Sequence, residues 1–181
     1  MARVLRGQRY AVSEDNKALR EFIVKKLHYL DYEQTKAWYR QFVPQLDDNG
    51  LALLGCNDRF FLLTILLNRT DASHPWLFDR CREVERDPDG HIDLWSRVHY
   101  KSTIITFAGV IQEIINDPEI TIGIFGHTKD IAEKFVAQIK REFDANVDLR
   151  SIFSEICWLR PGSEAPVWST EAFTVRRKGN P

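Results

Sequence analysis

Between Lys101 and about Asn116 the chain carries Ile104, Ile105, Phe107, Ala108, Val110, Ile111, Ile114 and Ile115, and a helix drawn through them has almost no polar face. A helix that is apolar nearly all round is buried on several sides, so other layers must surround this one. Asp117-Pro118 stops the pattern, because proline cannot continue a helix. Glu119–Gly126 (EITIGIFG) is then a β-branched run of strand length. Thr128 is placed to cap a further helix, with Ile131, Phe135, Val136, Ile139 and Phe143 as one apolar stripe and Asp130 suited to its positive end. Upstream, His91–Trp95 is a short apolar run; downstream, after Leu149–Trp158 and a loop at Pro161-Gly162-Ser163, Ala172–Arg177 reads as another strand. Strand, loop, buried helix, strand, helix is the alternation of a parallel sheet with right-handed crossovers.

The N-terminal half reads as helical. Ser13 is placed to cap a helix bearing Leu19, Phe22, Ile23 and Leu27, and Asp31 a second with Trp38, Tyr39 and Phe42, ended by Pro44. Asp47-Asp48-Asn49-Gly50 has turn chemistry, Asn57 opens an apolar helix through Phe60, Phe61, Leu62, Ile65 and Leu66, and another helix spans about Pro75 to Glu85. Asp87-Pro88-Asp89-Gly90 is a second breaker. These breaks divide the chain into a helical segment over 1–50, a helical lead-in over 51–90, and an α/β part over 91–181. The fold class expected is therefore α/β, an incomplete parallel sheet behind an N-terminal helical segment. An apolar fraction of 44% supports a packed core, and a net charge of -1 argues against a wholly basic nucleic-acid coat. The 3 cysteines, Cys56, Cys81 and Cys157, are far apart and form no metal-ligand spacing, so reduced thiols are expected. No run approaches the roughly 20 apolar residues that span a bilayer, and the expectation is a soluble, unexported protein.

Chemistry concentrates in the loop that precedes the buried helix. In parallel α/β proteins, ligands bind where strands lead into helix N-termini. A phosphate site there needs inward N–H groups, a lysine as point charge and a hydroxyl for Mg²⁺. Lys101 and Ser102 supply the last two, Arg97 adds a second cation, and Thr103 a further hydroxyl. Trp95 and Tyr100 stand where the two glycines of a GxxxxGK[ST] loop would be, so the pattern is a deviant one. The competing reading is a solvated helix start, with Lys101 and Arg97 as flanking charges and Ser102 and Thr103 as caps.

The segment from about Leu77 to Trp168 resembles the large subunit of tailed-phage DNA-packaging terminases, whose deviant phosphate loop has the form Arg-x-x-x-Lys-[Ser/Thr]. Arg97-Val98-His99-Tyr100-Lys101-Ser102-Thr103 carries the resemblance, followed in order by Ile122–Thr128, Ala132, Asp148–Phe153, and Trp168 with Phe173–Arg177. The resemblance implies a P-loop NTPase-like fold, with ATP and Mg²⁺ as cofactors. It implies that Lys101 and Arg97 are the catalytic contacts to phosphate, with Lys101 on the β- and γ-phosphates and Arg97 sensing the nucleotide. Val98, His99 and Tyr100 would contribute backbone N–H groups, Ser102 would hold the metal, and Thr103 would assist. Partners implied for the whole motor are double-stranded DNA, a portal protein, a small terminase subunit and other copies in a ring, in the host cytoplasm. The apolar strand closing in paired carboxylates and the nuclease acidic cluster of that family do not occur in these residues. Negligible hydrolysis by this chain alone is therefore the expectation, with a truncated product, a split gene or a fragment as its explanations.

Other features have two readings each. Phe60–Leu63 is a core stretch, or part of an adenine pocket or a partner surface; Trp76 and Phe78 are structural or stack on adenine; His127-Thr128 is a helix cap or a DNA or coupling contact. Arg3, Arg6 and Arg9, with Arg176, Arg177 and Lys178, are solvated termini or meet DNA phosphates. Asn68-Arg69-Thr70 fits a glycosylation sequon, which an unexported protein would not use. No spacing points to a Ser-His-Asp or Cys-His set. The competing classes are a non-enzymatic interaction module and another NTPase such as a helicase-like protein.

Overall fold

The computed structural model describes residues 5–10, 16–86 and 94–177. The chain divides into two compact units, Met1–Tyr100 and Lys101–Pro181.

The first unit is built from α1 (Lys17–Lys25), α2 (Tyr32–Phe42), α3 (Asp48–Asn57), α4 (Arg59–Phe61) and α5 (Pro75–Arg86). The start of α2 is written in its sequence: Asp31 accepts from the Gln34 N–H while the Gln34 side chain accepts from the Asp31 N–H, a reciprocal capping box. Ser13, the expected cap upstream, lies outside the described residues, as does Asp87–Gly90. Asp47-Asp48-Asn49-Gly50, expected as a turn, is the start of a helix. Asp47 caps α3 by accepting from the Gly50 N–H at 2.7 Å, and Gly50 is buried inside the helix. The apolar helix expected from Asn57 begins two residues later, at Arg59, because Asn57 ends α3 and Asp58 caps α4. Thr64 then bonds back to the Phe60 carbonyl at 2.7 Å within a π-helical turn, Leu62–Leu66. Leu27, Leu53, Leu54, Phe60, Phe61, Leu62 and Leu63 are fully buried. Aromatic pairs extend this core: Phe22 stacks on Trp38 at 4.5 Å, and Phe60 meets Phe78 edge-on at 5.2 Å.

The second unit opens with a helix over 101–116, whose middle, Thr103–Gly109, is π-helical and whose end is α6 (Val110–Asn116). The all-round apolar pattern is met by burial: Ile104, Phe107, Ala108, Ile111 and Ile115 are enclosed. α7 (Lys129–Ala145) packs on the π-helical stretch and on α8 (Val147–Ile152), burying Ile139 and Phe143 from its stripe. Thr128 stands at the cap position of α7 without a side-chain cap bond. Pro161–Glu164, expected as loop, forms a short α9.

The expected parallel sheet is absent from the described residues, and with it the α/β, P-loop NTPase-like fold class. Helices dominate instead. Glu119–Gly126 forms no ladder, although Ile120, Ile122 and Ile124 are half-buried and alternate with exposed Glu119, Thr121, Gly123 and Phe125. A β-branched run fits a pleated, half-buried surface; a strand also needs a neighbour, and none of the described residues pairs with this one. Ala172–Arg177 forms no strand and takes part only in isolated bridging, as in the antiparallel bridge of Trp168 with Phe173. Of His91–Trp95, residues 91–93 lie outside the described residues, and Leu94 and Trp95 are in no strand. All 3 cysteines are buried, and none is joined in a disulfide. Burial pushes the Cys157 thiol up to about 12 and raises Cys81 as well, so neither is a thiolate near neutrality. No helix among the described residues is long and apolar enough to cross a membrane.

Candidate functional site

The run Arg97–Tyr100 has an alternating backbone. Val98 has a φ of 66° and Tyr100 one of 59°, and neither Arg97 nor His99 shares that sign. Positive φ is uncommon outside glycine, and for a β-branched residue such as valine it is a true outlier. Such a conformation costs on the order of 1–3 kcal/mol and persists only where surroundings hold it. The holding contacts are visible. The Tyr100 hydroxyl donates to Asp71 Oδ2 at 2.8 Å, and Asp71 is gripped by Arg69 through Nε at 3.0 Å and Nη2 at 2.9 Å. The Arg69 bonds, then the Tyr100 bond, hold the Asp71 carboxyl down to about 2, so it is a permanent acceptor at neutral pH. His99 Nδ1 lies 2.8 Å from the Arg97 carbonyl, closing the turn.

Consecutive residues whose φ alternates in sign turn successive N–H groups toward one concave side. Alternation of this kind is a feature that anion-binding nests share. Tyr100 takes the conformation that glycine favours, at the position where a regular phosphate loop has its second glycine. Val98 is 95% exposed, so its strain serves no packing. Lys101 follows directly and begins the 101–116 helix. Arg97, Lys101 and Ser102 are exposed, Thr103 half-buried. Ser102 makes no side-chain cap bond, which leaves its hydroxyl available. Replacing Val98 with glycine should stabilise the protein by about 1 kcal/mol, since relief of the left-handed strain exceeds glycine's entropic cost; urea denaturation measures it. A loss instead would mean that the valine side chain holds the loop.

Within the first unit, Trp76 borders a cavity of about 490 Å³ with Asp71, His74, Leu77, Val98, His99 and Tyr100. Its ring meets Trp95 at 5.8 Å and His99 at 5.6 Å, edge to face, and Arg80 lies over it at 5.6 Å. Phe78, the other aromatic weighed for stacking, is 3% exposed and packed among Tyr32 and Phe60, so it is core. Phe60–Leu63 is core too. His127 is exposed beside the start of α7. Of the terminal basic residues, Arg3 and Lys178 lie outside the described residues. Arg6 is tied by its backbone to Asn57, Arg9 lies over Tyr10, Arg176 over Trp158, and Arg177 donates to the Ile120 carbonyl at 3.0 Å. No group of three or more His, Cys, Asp or Glu able to hold a metal ion occurs among the described residues.

The sequence pattern marked the loop but missed Asp71 and Arg69, which fix Tyr100 from far along the chain. Nothing in local spacing announces that contact. The left-handed residues were equally hidden, because valine and tyrosine rarely adopt that backbone. Comparison of the chain with protein-family models, with curated proteins and with solved structures gives no match in any of the three.

Proposed function

We propose that this chain binds nucleotide phosphates through Arg97–Thr103 and belongs to a DNA-packaging motor of the terminase large-subunit kind. The observation that supports this reading is the alternating φ along Arg97–Tyr100, directly before a lysine, two hydroxyl residues and a helix start. The residues fit Mg-ATP in kind. The N–H groups of Val98, His99 and Tyr100 would cradle phosphate oxygens, Lys101 and Arg97 would neutralise their charge, and Ser102 would face the metal with Thr103 beside it. Bound Mg-ATP supplies the phosphoanhydride whose cleavage powers such a motor. Phosphoryl transfer relies on positioning and charge stabilisation, and the loop's own work is both. Hydrolysis of ATP by the chain alone is taken to be negligible in this reading. The reading rests on the loop and the helix start, not on a sheet. It carries with it double-stranded DNA, a portal protein and a small terminase subunit as partners of the whole motor, a homo-oligomeric ring, and the host cytoplasm as its setting.

Calorimetric titration with Mg-ATP tests the assignment. Wild type should bind at submillimolar ATP, and Lys101→Ala should weaken binding at least tenfold, about 1.4 kcal/mol. Arg97→Ala should weaken it less, because Lys101 retains its charge and the backbone its shape. No binding at millimolar ATP, or equal binding by wild type and Lys101→Ala, removes the loop as a phosphate site and favours a non-enzymatic interaction module.

A further inference from the structure

We infer that the cavity lined by Ile120–Ile124, α7 and Ala172–Arg177 is a binding site for an aliphatic carboxylate, with the charged head at Arg177. The inference stands apart from the nucleotide reading. The cavity lies within the second unit and holds about 510 Å³, a size at which ligand pockets occur. Ile114, Ile122, Ile124, Val136, Ile139 and Phe173 make its walls apolar. Only Phe173 among these carries a ring, so the walls suit a flexible aliphatic chain better than a flat aromatic one. Along Glu119–Phe125 exposed and half-buried residues alternate, which is the period of an extended backbone. At strand spacing, Ile120 to Ile124 covers about 13 Å, room for a straight chain of about ten carbons.

Charge selects the head group. The ionisable side chains lining the cavity are Lys129, Glu133, Glu171 and Arg177. Lys129 holds both carboxylates, Glu171 in direct contact and Glu133 at 3.5 Å, and this cluster reaches solvent, where its charges are screened. Arg177 is half-buried and has no such partner. Among the described residues its one hydrogen bond runs from Nη2 to the Ile120 carbonyl at 3.0 Å, Nε is enclosed without an acceptor, and no carboxylate pairs with it. A partly desolvated cation without a counter-ion is costly. The guanidinium end, Nη1 with Nη2, is the fork that a carboxylate matches with two parallel bonds. An ammonium head would repel Arg177, and a neutral head would leave its charge unmet.

Calorimetric titration of the full chain should show one octanoate bound with a submillimolar Kd. The Kd should fall roughly tenfold from hexanoate to octanoate, and again to decanoate, as further methylenes are buried. Octanol, the same chain with a neutral head, should bind at least tenfold more weakly. Arg177→Met, which keeps an apolar stem and removes the charge, should bring octanoate down to the affinity of octanol. In wild type the methyl resonances of Ile122, Ile124 and Ile139 should shift as octanoate is added. No binding at millimolar octanoate overturns the inference. So does octanol binding wild type as tightly as octanoate, a comparison that needs no variant to fold. Unmoved isoleucine methyls, or an Arg177→Met chain that folds and binds octanoate like wild type, overturn it equally.

Discussion

Asp58→Ala should cost the N-terminal unit about 3–5 kcal/mol, the penalty for breaking a buried ion pair. Asp58 is fully buried and does three jobs. It caps α4 by accepting from the Phe61 N–H at 3.0 Å, takes both Arg82 guanidinium nitrogens at 2.9 and 3.1 Å, and accepts from the Tyr39 hydroxyl at 2.5 Å. Arg82 also reaches Glu85 at 3.2 Å, and Glu85 accepts from the Arg59 N–H at 2.6 Å. Without Asp58 the Phe61 N–H and the Tyr39 phenol lose their acceptor at once, and Arg82 keeps only Glu85. Urea denaturation followed by circular dichroism measures the loss, and a value below about 1 kcal/mol would show that water replaces the carboxylate.

The same site makes stability depend on acid. Burial alone would raise the Asp58 pKa, but the Arg82 charge and its hydrogen bonds, with those of Tyr39 and Phe61, outweigh it and hold the carboxyl below its ordinary range. A folded pKa below the unfolded value of about 4 stabilises the fold above pH 4. That contribution is lost as pH falls through the folded value. Acid titration of wild type should show this loss, and Asp58→Asn, which has no carboxyl to protonate, should flatten it.

Legibility followed the range of the interactions. The α2 capping box closes within four consecutive residues, Asp31 to Gln34, and is plain in the sequence. The stripe of α7 needs only the helical period and is equally plain, as is the all-round apolar stretch over 101–116. Asp47 misled, because a residue that bonds its own downstream N–H serves a turn and a helix cap alike; what decided was the apolar run Leu51–Leu54 behind it. The Asp58–Arg82–Glu85 network was illegible, since its members lie far apart in the chain and no period links them. Asp58 just before Phe60-Phe61 could still have been found as a cap. The strands failed for a different reason. Composition and alternation describe one segment's two faces correctly, as the burial of Ile120, Ile122 and Ile124 shows, but a sheet is a relation between segments.

Phe107→Ala should be the matching lesion in the second unit, with a loss of about 3–5 kcal/mol for deleting a buried aromatic ring. Phe107 is 1% exposed and sits in the π-helical stretch Thr103–Gly109 against which α7 packs. Its neighbours by helical spacing, Ile104, Ala108 and Ile111, are fully buried, so no mobile side chain at the surface is at hand to collapse into the space. Ile105 is the control: on the same helix but half-buried, its truncation removes less buried surface and leaves no enclosed cavity, and should cost less than half as much. Hydrogen exchange across α7 and 101–116 separates the two variants, with fast exchange expected for Phe107→Ala alone. The helix that Phe107 anchors is the one that begins with Lys101, Ser102 and Thr103. If the proposed Mg-ATP binding is met, loss of this ring should therefore also weaken it, whereas Ile105→Ala should leave it unchanged. Equal exchange in both variants would mean that α7, not the ring, supports the helix.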